Sequence, residues 1–422
     1  MRGGGRHRLS NANHSLLMSN FTQTTASPIN EGSATESIRT PEPPAEVPWQ
    51  NIPGACRKAV GQLRILHAPN FVTPQQWTLS RAQRALGNRS DLFVFNAKVG
   101  FPTVKCDLDL GFSRDQVSLH PSRVLPSLFF VFRFAWFFLR ALMRYDVFHF
   151  HSESFLGSYS DWDLKILRFF RKTIVFQYWG FDVKLQTPAL LSERYGAVKR
   201  DIRFYANSRK LRDNLMHLRY ADFRVYSGVE VIRNVPDAIF IPIVIDVAYW
   251  RPVEAIPKEH QLPSSRCVRI LHPFQTWDTR GDWKGTSVLR ASVEALKAEG
   301  HSVELVFVDR VPHDAMRYYY QQVDIVVEQL LSGFHGNVSV EAMAMGKPAV
   351  CYLNEDAYKL LPSGNPIVNA NPDTLTDRLR ELVTDAGLRQ NLGRRSRAYI
   401  EDYYDAMKIG KVYLELYTRK WR

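Results

Sequence analysis

Cysteine is scarce in this 422-residue chain: Cys56, Cys106, Cys267 and Cys351 stand far apart. There is no CxxC pair and no Cys/His spacing that reads as a zinc site, so the pattern fits reduced thiols in a cytosolic protein rather than a disulfide framework. Acidic residues are outnumbered: 55 Lys and Arg face 42 Asp and Glu, giving a net charge of +13 and a pI near 9.5. That surplus suits an anionic partner, whether a phosphorylated ligand, an acidic membrane surface or nucleic acid. Nucleic acid is set aside, because no helix-turn-helix, zinc finger or aromatic RNA-binding motif is present. Long uninterrupted apolar runs are also missing. The nearest one, Val124 to Met143, is broken by Arg133 and Arg140. The basic, polar start has no apolar core of a signal peptide. Large apolar residues are few in residues 1–60, and Thr40 to Pro48 holds four prolines. Such a stretch cannot offset its ordering entropy and is expected to be a disordered tail.

What is present is enough for two domains, since 45% of the residues are hydrophobic. Leu63-Arg64-Ile65-Leu66-His67-Ala68-Pro69 reads as a strand running into a loop. Val268-Arg269-Ile270-Leu271-His272-Pro273 is a near echo of it. A helical face follows each: Leu79, Ala82 and Leu86 before Gly87, then Leu289, Val293 and Leu296 before Gly300. Further short strands are expected at Asp91–Ala97, Asp146–Phe150, Thr173–Gln177, Arg203–Ala206, Val303–Val308, Val323–Val327 and Ala349–Leu353. Two β-α-β beginnings predict two doubly wound domains. The stretch Ile239 to Pro263, carrying Pro242, Pro252, Pro257 and Pro263, joins them. The expected division is a tail over 1–60, a first Rossmann-like domain over 61–245, a linker over 246–265, a second such domain over 266–400 and a C-terminal helix over 401–422.

The richest stretch is Val323 to Val350. A buried strand leads into a loop with Gly333 and Gly336, and a helix starts near Asn337 or Val338 and stops at Gly346. In a parallel α/β domain such a loop lies at the carboxyl edge of the sheet, where ligands bind. Its glycines allow close backbone approach, and the helix N-terminus favours a phosphate. Glu341, one turn into the helix, can accept two hydrogen bonds from the vicinal hydroxyls of a ribose, or it can simply complement the helix dipole. Lys284, in Trp283-Lys284-Gly285-Thr286, sits on a second carboxyl-edge loop. It can reach a diphosphate as a point charge with Arg280 nearby, or remain a solvated surface lysine.

These pieces resemble the donor domain of the retaining GT-B glycosyltransferases of family 4. The resemblance rests on Lys284-Gly285-Thr286, Asp324-Ile325-Val326-Val327, Gly333-Phe334-His335-Gly336 and Glu341-Ala342-Met343-Ala344-Met345-Gly346-Lys347-Pro348. It runs from about Leu63 to the end, strongly in the second half and loosely in the first. It implies an α/β GT-B fold: two doubly wound Rossmann-like domains facing across a cleft, with a C-terminal helix crossing back to the first. Donor-site residues would be Arg280, Lys284, Gly285, Gly333, Gly336, Asn337, Val338 and Glu341. The family commonly has two glutamates eight positions apart. Glu341 matches the second, which holds the ribose, while the first falls on Gly333, so Glu328 or Gln329 is a candidate substitute.

In the first half, Asp146-Val147-Phe148-His149-Phe150-His151 places His149 and His151 on one strand face. By resemblance His151 would face the donor sugar, though a core histidine is the plain alternative. Tyr178-Trp179-Gly180-Phe181-Asp182 keeps the family's Gly-x-Asp, so Asp182 would orient an acceptor hydroxyl or cap a turn. Leu125 to Met143, dense in Phe and Trp with Arg133, Arg140 and Arg144, reads either as an interfacial helix or as a buried one. The expected function is transfer of a sugar from a nucleotide-diphosphate donor to a glycan, lipid-linked or small-molecule acceptor, with retention. No metal and no separate cofactor is expected, because basic groups replace them and no Asp-x-Asp is placed for a metal in the second half. The alternative is a catalytically degenerate relative that binds a nucleotide sugar or glycan. The expected setting is cytoplasmic, peripheral on the inner face of an anionic membrane.

Overall fold

A computed structural model describes residues 63–69, 73–97, 106–112, 124–157, 159–179, 195, 217–229, 235, 237–273, 282, 284–308 and 311–421. The expected tail, the expected strand at Arg203–Ala206, Asp182 and Arg280 lie outside them.

The first sheet is built from apolar runs buried on both faces, as parallel strands require. Its strands are β1 (Arg64–Ala68), β2 (Arg89–Val94), β3 (Leu108–Asp109), β4 (Val147–His151), β5 (Thr173–Tyr178), β6 (Phe223–Tyr226) and β7 (Ile239–Phe240). Their order is β3-β2-β1-β4-β5-β6-β7, with every pairing parallel. Among the described residues, the α-helices of this half are α1 (Gln75–Ala85), α2 (Val124–Arg144) and α3 (Trp162–Phe169). Side-chain alternation divides the core in two. Ile65, Val147, Val175 and Val225 pack with Leu79 and Ala82 of α1. Leu66, Phe148, Phe150 and Phe176 pack with Phe138 and Ala141 of α2 and with Leu164 and Leu167 of α3.

The second sheet has the order β12-β11-β10-β8-β9, again all parallel. Its strands are β8 (Val268–Pro273), β9 (Val303–Val308), β10 (Ile325–Val327), β11 (Ala349–Cys351) and β12 (Val368–Asn369). Around them lie α4 (Thr286–Ala298), α5 (Met316–Gln321), α6 (Asn337–Ala344), α7 (Glu355–Leu360), α8 (Leu375–Thr384) and α9 (Ala386–Tyr403). Leu289, Val293 and Leu296 form the buried stripe of α4, as their spacing predicts. In each sheet the strand order reverses beside the first strand, between β1 and β4 and between β8 and β10. In open α/β sheets, ligands bind outside such switch points.

The last helix, α10 (Ala406–Thr418), returns to the first sheet. Its Ile409, Tyr413 and Tyr417 share a core with Leu79 and Ala82 of α1. The chain therefore crosses between the domains twice, and the two crossings are bonded together. Ile245 N–H donates to the Tyr404 carbonyl at 3.0 Å, and Ala406 N–H donates to the Ile245 carbonyl at 2.9 Å. Arg397 of α9 adds a second tie, donating to the carbonyls of Val247 at 3.0 Å, Trp250 at 2.6 Å and Ala344 at 2.7 Å.

α2 has two apolar sides. Phe130, Phe138, Ala141 and Leu142 face the core, whereas Leu128, Phe132, Trp136, Leu139 and Met143 form an exposed stripe at helical spacing. Phe132 is 71% exposed, and on α3 and the turn after it Trp162, Phe169 and Phe170 are exposed as well, Phe169 at 81%. No helix among the described residues is long and apolar enough to cross a membrane.

Candidate active site

The carboxyl-edge loops of the second sheet meet at its switch point. Leu330 N–H, in the loop after β10, donates to the Lys284 carbonyl, in the loop after β8, at 3.0 Å. Lys284 and the glycine loop therefore share one edge, as their places in the sequence predict. Gly285 begins α4 at φ +80°, and a side chain there would press on Leu330.

Glu328 takes a part different from the one expected. It directly follows β10, buried, and its carboxylate turns onto the start of α6. Gly336 N–H donates to Oε2 at 2.6 Å, and Val338 N–H to Oε1 at 3.2 Å. Ser339 donates to Oε2 from its N–H at 3.2 Å and from its hydroxyl at 2.7 Å. A helix start leaves its first N–H groups without internal partners and attracts negative charge. Here Glu328 supplies both the acceptor and the charge, so the reading of this helix start as an open phosphate site is corrected. The same bonds make Glu328 a poor stand-in for a carboxylate at the donor sugar. Gln329 is committed too, its amide donating to the Phe334 carbonyl.

Two glycines of the loop are fixed by close contacts. A Cβ on Gly336 would stand 2.4 Å from Glu328 Oε1. Gly333 adopts φ +76°, and a Cβ there would stand 2.7 Å from Asn354 Nδ2. The left-handed backbone and the contact with Asn354 both disfavour a glutamate in the place where the related pattern has one.

Glu341 lies on α6 with 6% of its surface exposed. Tyr320 of α5 donates its hydroxyl to Oε2 at 2.9 Å, and His313 Nε2 meets Oε1 at 2.7 Å. Burial and the Glu341 charge hold the Tyr320 phenol well above its usual range, so it stays protonated and donating. His313, in the loop between β9 and α5, packs edge-on against Trp250. Neither Tyr320 nor His313 belongs to the sequence-derived site. The carboxyl-edge rule that singles out Lys284 also points at the loop holding His313, which was the available signal.

Glu341, His313 and Trp250 line a cleft with Asn337 and Val340 on one side and Pro74, Gln75 and Thr78 on the other. The Gln75 amide donates to Asn337 Oδ1 across it, joining the start of α1 to the start of α6. Asn337 is thus one point at which the second domain touches the first. His335 is buried, with Nε2 at 2.9 Å from the Tyr404 hydroxyl, which ties the glycine loop to the second crossing. Burial lowers its pKa to about 4. Lys347, in the most specific matching stretch, donates to the Gln321 carbonyl at 3.2 Å and serves the packing of α5.

His149 and His151 do share one face of β4, but both are fully buried, beneath α1 and α10. His151 is therefore enclosed rather than standing on the cleft wall, although it stacks on Trp179 at 5.9 Å between ring centres. The structure brings Lys284, Gly285, Gly333, Gly336, Asn337, Val338 and Glu341 to one end of the second sheet. It leaves His151 inside the first domain, and Asp182 and Arg280 lie outside the described residues.

Residues 280–385 match the family described as glycosyl transferases group 1. No curated protein matches the sequence. Among solved structures, sucrose-phosphate synthase from Thermosynechococcus elongatus is similar with a TM-score of 0.57 and 17% identity, over 85% of this chain and 99% of that one. Anabaena HepE in complex with UDP and glucose is similar with a TM-score of 0.52 and 13% identity, over 85% of this chain and 100% of that one. Identities this low speak for the fold alone. The chain has the GT-B fold, two Rossmann-like domains with a returning C-terminal helix, and a segment of its second domain is similar to the group 1 glycosyl transferases.

Proposed function

We propose that the protein transfers a sugar from a nucleoside-diphosphate donor, bound by the second domain, to an acceptor hydroxyl presented by the first. The observation that carries this reading is the placement of Glu341. It lies inside the group 1 segment and on the wall of the interdomain cleft, its carboxylate held in a fixed orientation by Tyr320 and His313. Each oxygen keeps a further acceptor position, and the vicinal hydroxyls of a ribose match such a pair. The complexes of HepE with UDP, with UDP and glucose, and with UDP-glucose support a nucleotide sugar as the class of ligand.

With the start of α6 occupied by Glu328, charge on the leaving diphosphate falls to Lys284 and Arg280. In a retaining transfer, the bond from the anomeric carbon to the diphosphate oxygen breaks and the acceptor oxygen bonds to the same face. The acceptor proton passes to the leaving oxygen, so no protein nucleophile or metal is called on. Asp182 would orient the acceptor. His151, being buried, would back the acceptor wall through Trp179 rather than touch the sugar.

The exposed stripe of α2 and the aromatic end of α3 support an anionic membrane surface as the place of work, and hence a lipid-linked or membrane-borne glycan acceptor. Aromatic side chains enter the interface while Arg133, Arg140, Arg144, Arg168 and Arg171 meet acidic headgroups. Gly333 favours a second reading, a relative that binds a nucleotide sugar without transferring it, because the glutamate of the related pattern is missing there and the left-handed backbone disfavours it.

A thermal-shift screen over UDP-, GDP-, ADP- and CDP-sugars tests the binding step, since a ligand of the native state raises Tm by mass action. One donor class should raise Tm in the native protein and leave Glu341→Gln unmoved. No shift with any donor would end the proposal. Binding without transfer to extracted lipids or glycans would favour the second reading.

A further inference from the structure

Among the described residues, one cluster of metal-ligating side chains is close enough to share an ion, and it lies outside the donor site: His67, His149 and His151. His67 is on β1 and pairs in register with His149 on β4. Strand alternation puts His151 on the same face as His149. All three are fully buried at the switch point of the first sheet, with one nitrogen from each lying within 4.8 Å of the others.

The hydrogen bonds around the cluster are arranged asymmetrically. His67 Nε2 meets Gln83 Oε1 of α1 at 2.8 Å, and that oxygen can only accept, so the His67 proton sits on Nε2. His67 Nδ1 then presents a lone pair inward, 3.0 Å from His151 Nε2. His149 Nδ1 meets the Tyr417 hydroxyl of α10 at 2.7 Å. Its Nε2, and Nδ1 of His151, are buried without a hydrogen bond of acceptable geometry; the Gln177 side chain stands beside both rings, its Oε1 likewise unpaired. Buried polar nitrogens in native proteins are nearly always paired, so two such atoms in one cluster call for a missing partner. Histidines bound to a metal characteristically give the outer nitrogen to an amide, carboxylate or hydroxyl and the inner one to the ion. Gln83 and Tyr417 stand in those outer positions.

We propose that His67, His149 and His151 bind a zinc ion, with water completing the tetrahedron. Nitrogens about 2.1 Å from zinc lie about 3.4 Å from one another, so small ring rotations close the cluster onto the ion. Through Tyr417 the ion would fasten the C-terminal helix to the first sheet, a structural role independent of the sugar-transfer reading.

The test uses the full chain, stripped with a chelator and titrated with zinc and then with cobalt. About one equivalent of zinc should survive desalting, Tm should rise on metal addition, and cobalt should give the intense visible absorption of a tetrahedral site. His149→Ala and His151→Ala, checked for folding by circular dichroism, should lose all three signals. Where those variants do not fold, Tyr417→Phe keeps every ligand and should weaken zinc about 10-fold. Native protein that retains no zinc and shows no shift would overturn the proposal, leaving the three rings as a hydrogen-bonded stack. Undiminished binding in folded histidine variants would overturn it too, because the metal would then sit elsewhere.

Discussion

His67 and His272 occupy the same place in two sheets. Each is the next-to-last residue of its sheet's first strand, each is fully buried, and burial lowers the pKa of each to about 4. Their surroundings differ. His272 is saturated, Nδ1 on the Val327 carbonyl at 2.9 Å and Nε2 on the Thr286 hydroxyl at 2.9 Å. His67 opens instead onto two more histidines with nitrogens to spare. The carboxylates of the second domain follow the saturated pattern: Glu328 is consumed by a helix start, and Glu341 is held by two side chains. The difference teaches that His272, Glu328 and Glu341 are paired within the second domain, whereas the histidines of the first sheet keep unfilled capacity.

Acid should give the largest effect on the saturated side. His272 and His335 have folded pKa values of about 4 against an ordinary 6.5, so between those values the unfolded chain binds more protons. Their stabilisation is complete above pH 6.5 and is lost as pH falls towards 4, by about 3 kcal/mol each. Urea melts across that window should show the slope, and His272→Gln should reduce it; an unchanged slope would contradict the saturation of His272. Next, Glu328→Ala should cost about 2–3 kcal/mol in the same melts, because Gly336, Val338 and Ser339 lose their acceptor inside the protein. A neutral outcome would mean that water or phosphate replaces the carboxylate, reopening the helix start as an anion site. Gly333→Glu should lower stability by about 1–2 kcal/mol through its left-handed backbone and should fail to raise transfer activity. The smallest change in stability belongs to the first domain's surface. Phe132→Ser with Trp136→Ser should shift stability by less than about 0.5 kcal/mol while cutting sedimentation with phosphatidylserine vesicles. Loss of folding instead would mean that the stripe of α2 is packed rather than exposed.

Much of the fold is legible because parallel strands announce themselves. The echo of Leu63–Pro69 in Val268–Pro273 gives two sheets, and the stops at Gly87 and Gly300 bound two helices. Strands β3, β7 and β12 have two residues each and carry no pattern to read; β7 falls within the proline-bearing stretch expected to join the domains. The placing of the glycine loop, Lys284 and Glu341 at one carboxyl edge is legible from their positions after the strands. The role of Glu328 is not, because a strand-end carboxylate looks the same whether it caps a helix or meets a ligand, and only the path of the loop decides. The histidine trio is half legible. Alternation pairs His149 with His151, but His67 lies 84 residues before His151 and joins them only through strand order. Likewise, the approach of His313 and Tyr320 to Glu341 depends on how α5 packs on α6, which no local spacing records.

The paired crossings between the domains have a mechanical consequence. A GT-B cleft must open to exchange ligands, and the covalent route for that movement runs through residues near Ile245 and Tyr404, which are hydrogen-bonded side by side. Two parallel tethers bonded together behave like a hinge with one soft axis. Bending about the line that joins them leaves both bonds intact, whereas twisting or sliding would break them. Arg397 grips the carbonyls of Val247 and Trp250 just beyond this line, so the stiff region begins within a few residues of the pivot. Bending about this line is the movement that keeps the paired bonds at Ile245 intact while separating Gln75 from Asn337.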